Sequence, residues 1–262
     1  MKGKAKWSIL LSLLLVFSLV LAACSSGGSS SDKKDNKTKT SSNDNYKQVM
    51  NLAETEEIPT MNTTIADDQV SFIVFNQVYE GLYTMNEKDE LVPALAVGDP
   101  QIEKQGSDYV YTFKLQPNAK WSNGDPVTAN DFVYAWQKVV DPKTKGASYN
   151  YLFPTLGIKN AQEIIDGKMP PDQLGVKAVD DHTLEVTLTK EVPYYKSLFA
   201  FPTFFPQNKK FVESQGKNYG LEVENCVFNG PYVLDSWDHN EGWVYKKNPT
   251  YWDKDNVHID QI

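Results

Sequence analysis

Cysteine is nearly absent from this chain of 262 residues, with Cys24 near the start and Cys226 far downstream. Cys24 ends a leader-like segment, which leaves one thiol in the body and excludes an internal disulfide framework. Histidine is almost as scarce: His182, His239 and His258 are far apart in sequence, read as surface residues, and offer no metal-ligand spacing. There is no G-x-S-x-G, H-E-x-x-H, Walker loop, G-x-G-x-x-G or C-x-x-C, so the usual nucleophile, zinc and nucleotide chemistries lack their residues. Asp253-Lys254-Asp255-Asn256 opens like a calcium loop, but His258 stands where the sharp turn needs Gly. Basic residues are outnumbered and the net charge is -8. Phosphate backbones need clustered Lys and Arg, so nucleic acid is excluded as a partner. No apolar run reaches the roughly 20 residues of a stable membrane span.

What is present is organised in three parts. Lys2, Lys4 and Lys6 precede an apolar run from Ile9 to Leu21, interrupted by Ser12 and Ser18, and Leu21-Ala22-Ala23-Cys24 follows. A basic start, a short apolar run and small residues make a secretory signal over 1–23. Ser25 to Asn45 is almost entirely Ser, Gly, Asp, Asn, Lys and Thr. Such a stretch cannot bury enough apolar surface to offset its ordering entropy, and 24–45 is expected to be a disordered tether.

From Tyr46 the chain alternates strand and helix patterns. Tyr109, Tyr111, Phe113 and Leu115 share one face of a strand, as do Leu184, Val186 and Leu188 after a turn at Val179–Thr183. Val244–Lys247 reads as the return arm of a hairpin. Thr128 to Val140 reads as a helix, with Asp131 completing a short-armed capping box and Pro142 stopping it. Val70–Leu82 and Asn160–Asp166 are further helix candidates. No internal repeat is evident, and the pattern is mixed α+β. Cys226 reads as a small buried hydrophobe.

Several ordered segments then carry a specific resemblance. They are Ile58-Pro59-Thr60-Met61-Asn62, Val78-Tyr79-Glu80-Gly81-Leu82, Tyr111-Thr112-Phe113-Lys114-Leu115, the long run Ala119–Phe132 (AKWSNGDPVTANDF), Leu174-Gly175-Val176-Lys177-Ala178, Asn229-Gly230-Pro231-Tyr232 and Lys247-Asn248-Pro249-Thr250-Tyr251-Trp252. Together they resemble the extracellular solute-binding proteins of family 5, the oligopeptide-binding type. Leu-Ala-Ala-Cys likewise resembles a bacterial lipobox, which implies a diacylglyceryl group on Cys24 and a mature N-terminus there.

The resemblance implies an α/β, periplasmic-binding-protein-like type II fold of two lobes that close on a peptide. The expectation is that only the first lobe and its subdomain are carried here, as in a truncated receptor: 46–79 and 208–262 for the incomplete lobe, 80–207 for an inserted subdomain. It implies a monomeric, lipid-anchored receptor on the outer face of the cell membrane, with oligopeptides and the permease subunits of an ABC importer as partners. No cofactor is implied. A signalling-peptide receptor, a nickel or heme-like ligand and a remnant without binding function are the alternatives within the family; a secreted hydrolase lacks the motifs for its chemistry. By position, the resemblance implies ligand contacts at Asp67, Asp68 and Gln69 in the loop after the first strand. It implies another at Ser148, where the family carries Tyr, with Tyr149 adjacent. Asn229 and Tyr232 are expected beside the hinge. The long Trp121-containing run is expected to specify fold rather than touch ligand.

Overall fold

A computed structural model describes residues 47–262. The leader, Cys24 and the tether lie outside the described residues.

The first helix, α1 (Gln69–Val78), starts where Asp68 caps it, accepting the backbone N–H of Ser71 at 2.8 Å. It stops four residues short of the expected Leu82. Its last turn is held from outside: the Val78 carbonyl accepts from the Gly230 N–H, and the Glu80 N–H donates to the Asn229 side-chain oxygen at 3.1 Å. Tyr79 is extended as a result.

A small hairpin follows, β1 (Tyr83–Met85) with β2 (Leu91–Pro93). The main sheet is antiparallel. It comprises β3 (Gln101–Gln105), β4 (Asp108–Lys114), β5 (Val176–Asp180) and β6 (Thr183–Leu188) in the order β3-β4-β6-β5. The alternation read from the sequence sets its register: Tyr111 lies opposite Val186 and Phe113 opposite Leu184, all buried on one face. The turn is tighter than Val179–Thr183, because β5 runs on to Asp180 and only Asp181 and His182 lie outside strand.

Against that face packs α2 (Ala129–Val140), burying Phe132, Ala135, Trp136 and Val139. The expected capping box between Thr128 and Asp131 is present. Asp131 accepts both the N–H and the hydroxyl of Thr128, at 2.8 and 3.2 Å, and the Ala129 N–H reaches the Asp181 carbonyl. Three short helices, α3 (Leu152–Leu156), α4 (Ala161–Ile165) and α5 (Tyr195–Phe199), close the aromatic core. Trp136 is its centre. It stacks on Phe199 at 5.4 Å, meets Phe132, Phe153 and Phe204 edge-on, and donates its indole N–H to the Phe204 carbonyl at 2.9 Å.

After α6 (Lys209–Gln215) comes the expected hairpin, β7 (Tyr232–Asp238) with β8 (Gly242–Lys247). Asn240 takes a positive φ of 62° in its turn, a conformation Asn tolerates. Residues 47–50 lie beside Asp260 and Gln261, and Ile262 exchanges both backbone hydrogen bonds with Tyr245. One continuous core runs from Ile58 to Tyr245.

Candidate functional site

Five of the segments that carry the resemblance meet around the C-terminal end of α1. Glu80 is 7% exposed. One carboxylate oxygen accepts the Tyr251 hydroxyl at 2.7 Å and the other the Trp252 indole N–H at 2.6 Å. Its backbone is held from the opposite side, for the Asn229 side-chain amide accepts the Glu80 N–H and donates to the Glu80 carbonyl at 3.0 Å. Asn248 donates to the Gly230 carbonyl and, through its backbone, to Pro231. The Thr250 hydroxyl reaches the Trp121 carbonyl, and the Trp121 indole donates to Asp131 at 3.3 Å. Thr60 and Met61 join through Gly220 and through Ser71. Every polar group of this junction is spent inside the protein, which is the condition for burying it at little cost. Burial pushes the Glu80 carboxyl up to about 7, against the pull of the Tyr251 and Trp252 donors. Burial likewise lifts Asp131 to about 6. Gly230 admits no side chain here: a Cβ would stand 2.6 Å from the Val78 carbonyl carbon.

The expected ligand residues separate into two groups. Asn229, 1% exposed, belongs to this junction with its amide fully used. Tyr232 lies at the base of β7 and donates to the Ile259 carbonyl at 3.1 Å. Asp67, Asp68, Gln69, Ser148 and Tyr149 converge at the other end of α1. The Ser148 hydroxyl donates to the exposed Asp67 carboxylate at 2.9 Å, across 81 residues of sequence. Asp68 is occupied as the helix cap, and Gln69 is exposed beside it. Tyr149 is half-buried, its ring edge-on to Phe72 at 5.5 Å and tilted on Phe201 at 5.0 Å. The result is an open edge with one accessible carboxylate, a hydroxyl and an aromatic surface. It suits hydrogen bonding and packing against an extended ligand, and has no base–nucleophile pair.

A third constellation carried no signal in the sequence. His239, in the β7–β8 turn, places one ring nitrogen 3.2 Å from Glu57 and the other 3.3 Å from Glu222. Glu57 also accepts the Trp237 indole N–H at 2.6 Å and the Asn240 backbone N–H. Neutral imidazole has one N–H, so satisfying both carboxylates requires the imidazolium. Partial burial lowers the His239 pKa, but Glu57 and Glu222 outweigh it and raise it above 6.5. Burial of Glu57 is outweighed by the Asn240, Trp237 and His239 donors, and its carboxyl is held below 4.5. His239 is thus a surface histidine, as read, yet a fully engaged one. Beside it runs an open groove of about 590 Å³ lined by Met50, Leu52, Ile73, Trp243 and several glutamates. Cys226 is buried as expected, its thiol donating to the Glu222 carbonyl. Among the described residues no three His, Cys, Asp or Glu are grouped to hold a metal ion. No helix among them is long and apolar enough to cross a membrane.

A mixed α/β body with its specific residues spent on bracing, and an open polar–aromatic edge at a helix start, is the build of a binding-protein lobe. The chain belongs to the bacterial extracellular solute-binding proteins, family 5, whose middle-region model matches residues 90–262. The oligopeptide-binding protein OppA of Bacillus subtilis is 39% identical over 262 residues, which is 99% of this chain and 45% of that protein. The structure of Listeria monocytogenes OppA bound to peptide superposes with a TM-score of 0.78 at 52% identity, covering 82% of this chain and 42% of that one. The pheromone receptor PrgZ, whose mode of peptide binding is described, gives a TM-score of 0.77 at 37% identity, with 83% and 42% covered. The chain therefore spans less than half the length of these relatives, and its architecture matches part of a periplasmic-binding-protein-like fold.

Proposed function

We propose that this chain is the first-lobe portion of a lipid-anchored, extracellular oligopeptide receptor that delivers peptides to an ABC importer. It works by binding, without catalysis. The observation that carries the reading is the meeting of Asp67 and Ser148, with Gln69 and Tyr149 beside them, on a scaffold that matches peptide-bound OppA. An exposed carboxylate and an aromatic ledge serve an extended peptide by pairing with donors and covering a side chain, without demanding one sequence. Residues 46–79 and 208–262 form the lobe and 80–207 its subdomain; a diacylglyceryl group at Cys24 and the tether to Asn45 hold it at the outer face of the membrane. A signalling-peptide receptor is the second reading, favoured by the likeness to PrgZ.

The test is thermal unfolding of the full chain with and without a pool of tri- to hexapeptides, beside a relative of full family length. At about 100 times Kd, ligand adds about 2.7 kcal/mol, which for this size is a rise of roughly 5–10 °C. A rise in the relative alone would confine peptide binding to the longer form. A deletion strain that loses a peptide response but keeps peptide uptake would favour the signalling reading.

A further inference from the structure

Beneath the open edge at Asp67 lies a buried amide that belongs to none of the segments carrying the resemblance. Gln207 is 1% exposed. Its side-chain nitrogen lies 3.1 Å from the Asn62 side-chain oxygen and 2.9 Å from the hydroxyls of both Thr63 and Thr64. Two hydrogens thus serve three oxygens. Thr63 and Thr64 are buried as well, so water is poorly placed to replace this donor. The Gln207 backbone is fixed from the other side, its N–H donating to the Asp131 carbonyl of α2 at 3.2 Å. A single side chain therefore joins α2, seated on the main sheet, to the loop before α1.

That loop ends at Asp67. Upstream it is tied at Thr60 and Met61, which both donate to the Gly220 carbonyl. Downstream it is tied by Asp68, the cap of α1. Between these anchors Asn62 folds the chain on itself. Its carbonyl accepts the Ile65 and Ala66 N–H groups at 3.1 and 3.0 Å, and its side-chain oxygen accepts the Thr64 N–H at 3.1 Å. This turn is closed internally. Among the described residues, Gln207 is the one side chain from outside it that hydrogen-bonds to residues 62–66. Ile65 in turn lies beside Gly146, where a Cβ would stand 3.6 Å from its side chain, two residues before Ser148. The seat of the turn on Gln207 therefore sets where Asp67 stands relative to Ser148. A loop held in its binding geometry in advance spares part of the ordering cost of binding.

We propose that Gln207 is a positioning residue for ligand binding: through Asn62, Thr63 and Thr64 it holds Asp67 in reach of Ser148 and of a peptide's donor groups. The proposal rests on the peptide-receptor reading for its ligand, and two measurements on the full chain separate them. The first is calorimetry with the peptide Ala-Lys-Ala on the parent, Gln207→Met, Asp67→Asn and the double variant. Methionine keeps the length of the side chain and removes the donor. Each single change should weaken binding at least fivefold, and the double variant should bind within twofold of Asp67→Asn, because Gln207 acts through Asp67. Thr64→Val should weaken binding in the same way, and Thr64→Ser, which keeps the hydroxyl, should restore it; this pair decides the matter if Gln207→Met fails to fold. The second measurement is amide hydrogen exchange without peptide. Gln207→Met, or Thr64→Val in its place, should speed exchange at Ile65 and Ala66 at least tenfold and leave Phe113 in β4 and Trp136 in α2 at parent rates. Loop amides left unchanged, or all amides speeded alike, overturn the positioning role whatever the peptide does. Losses that multiply in the double variant overturn it as well. Faster exchange confined to the loop, with no peptide bound by the parent, supports the seating of Asp67 by Gln207 and sinks the receptor reading.

Discussion

The two ends of α1 are built on opposite rules. At its C-terminal end, Glu80, Asn229, Asn248, Thr250 and Trp252 exchange hydrogen bonds among segments up to 172 residues apart, and the junction is shut to solvent. At its N-terminal end, Asp67 stands exposed with a single side-chain partner and Tyr149 is half-covered. The residues that make the sequence recognisable as family 5 lie at the shut end. The open end, where a ligand has room, is written in ordinary loop residues. Recognisability here tracks bracing, because a buried polar network tolerates few replacements, whereas an exposed edge tolerates many.

Perturbing the shut end should have the largest effects. Trp121→Ala empties a site 1% exposed and removes one of the donors to Asp131, and should cost about 3–5 kcal/mol in denaturant unfolding. Glu80→Ala leaves the Tyr251 hydroxyl and Trp252 indole unpaired in a buried site, and should cost about 2–4 kcal/mol. Glu80 also imprints a pH dependence. Its folded pKa of about 7 lies above the ordinary 4.5, so the folded state holds the proton more tightly and stability falls as pH rises from about 4.5 to 7. That loss is on the order of 2–3 kcal/mol, and the difference between the parent and Glu80→Gln across pH 5 to 8 should report it. If the two curves run parallel, Glu80 is not the buried acid described.

The Glu57–His239–Glu222 clamp is a smaller effect of opposite design. The His239 pKa is raised, so its contribution is fully present below 6.5 and lost as pH climbs through the folded value. The Glu57 pKa is lowered, so its share is present above 4.5 and lost as pH falls. The clamp is firmest between those limits. His239→Gln should remove no more than about 1 kcal/mol, since the pair is solvent-screened, and should flatten the stability curve above pH 6.5. An unchanged curve would mean that the clamp adds nothing in solution.

Much of the scaffold was legible in order. The two-residue alternation of β4 and β6, the helical stripe and cap of α2 and the β7–β8 return are local patterns, and the structure carries each of them. The extent of α1 was not, because its stop is dictated by Asn229 and Gly230, some 150 residues away. β3 was not, because all five of its residues are exposed and leave no alternation to read. The clamp joins positions 57, 222 and 239, and the Glu80 junction joins 80 to 251 and 252; no spacing rule connects such positions before the chain is folded. The site residues placed by resemblance divide the same way: Asp67 with Ser148 fell together at an edge, while Asn229 is consumed in the brace.

The central claim is that the open end of α1 serves ligand and not stability. It is tested most directly by the double variant Asp67→Asn, Ser148→Ala, melted with and without the peptide pool. The account predicts an unfolding temperature within about 2 °C of the parent, as for surface changes worth up to roughly 0.5 kcal/mol, with the peptide-induced rise cut by at least half. A melt several degrees lower, or a peptide-induced rise left intact, would contradict it.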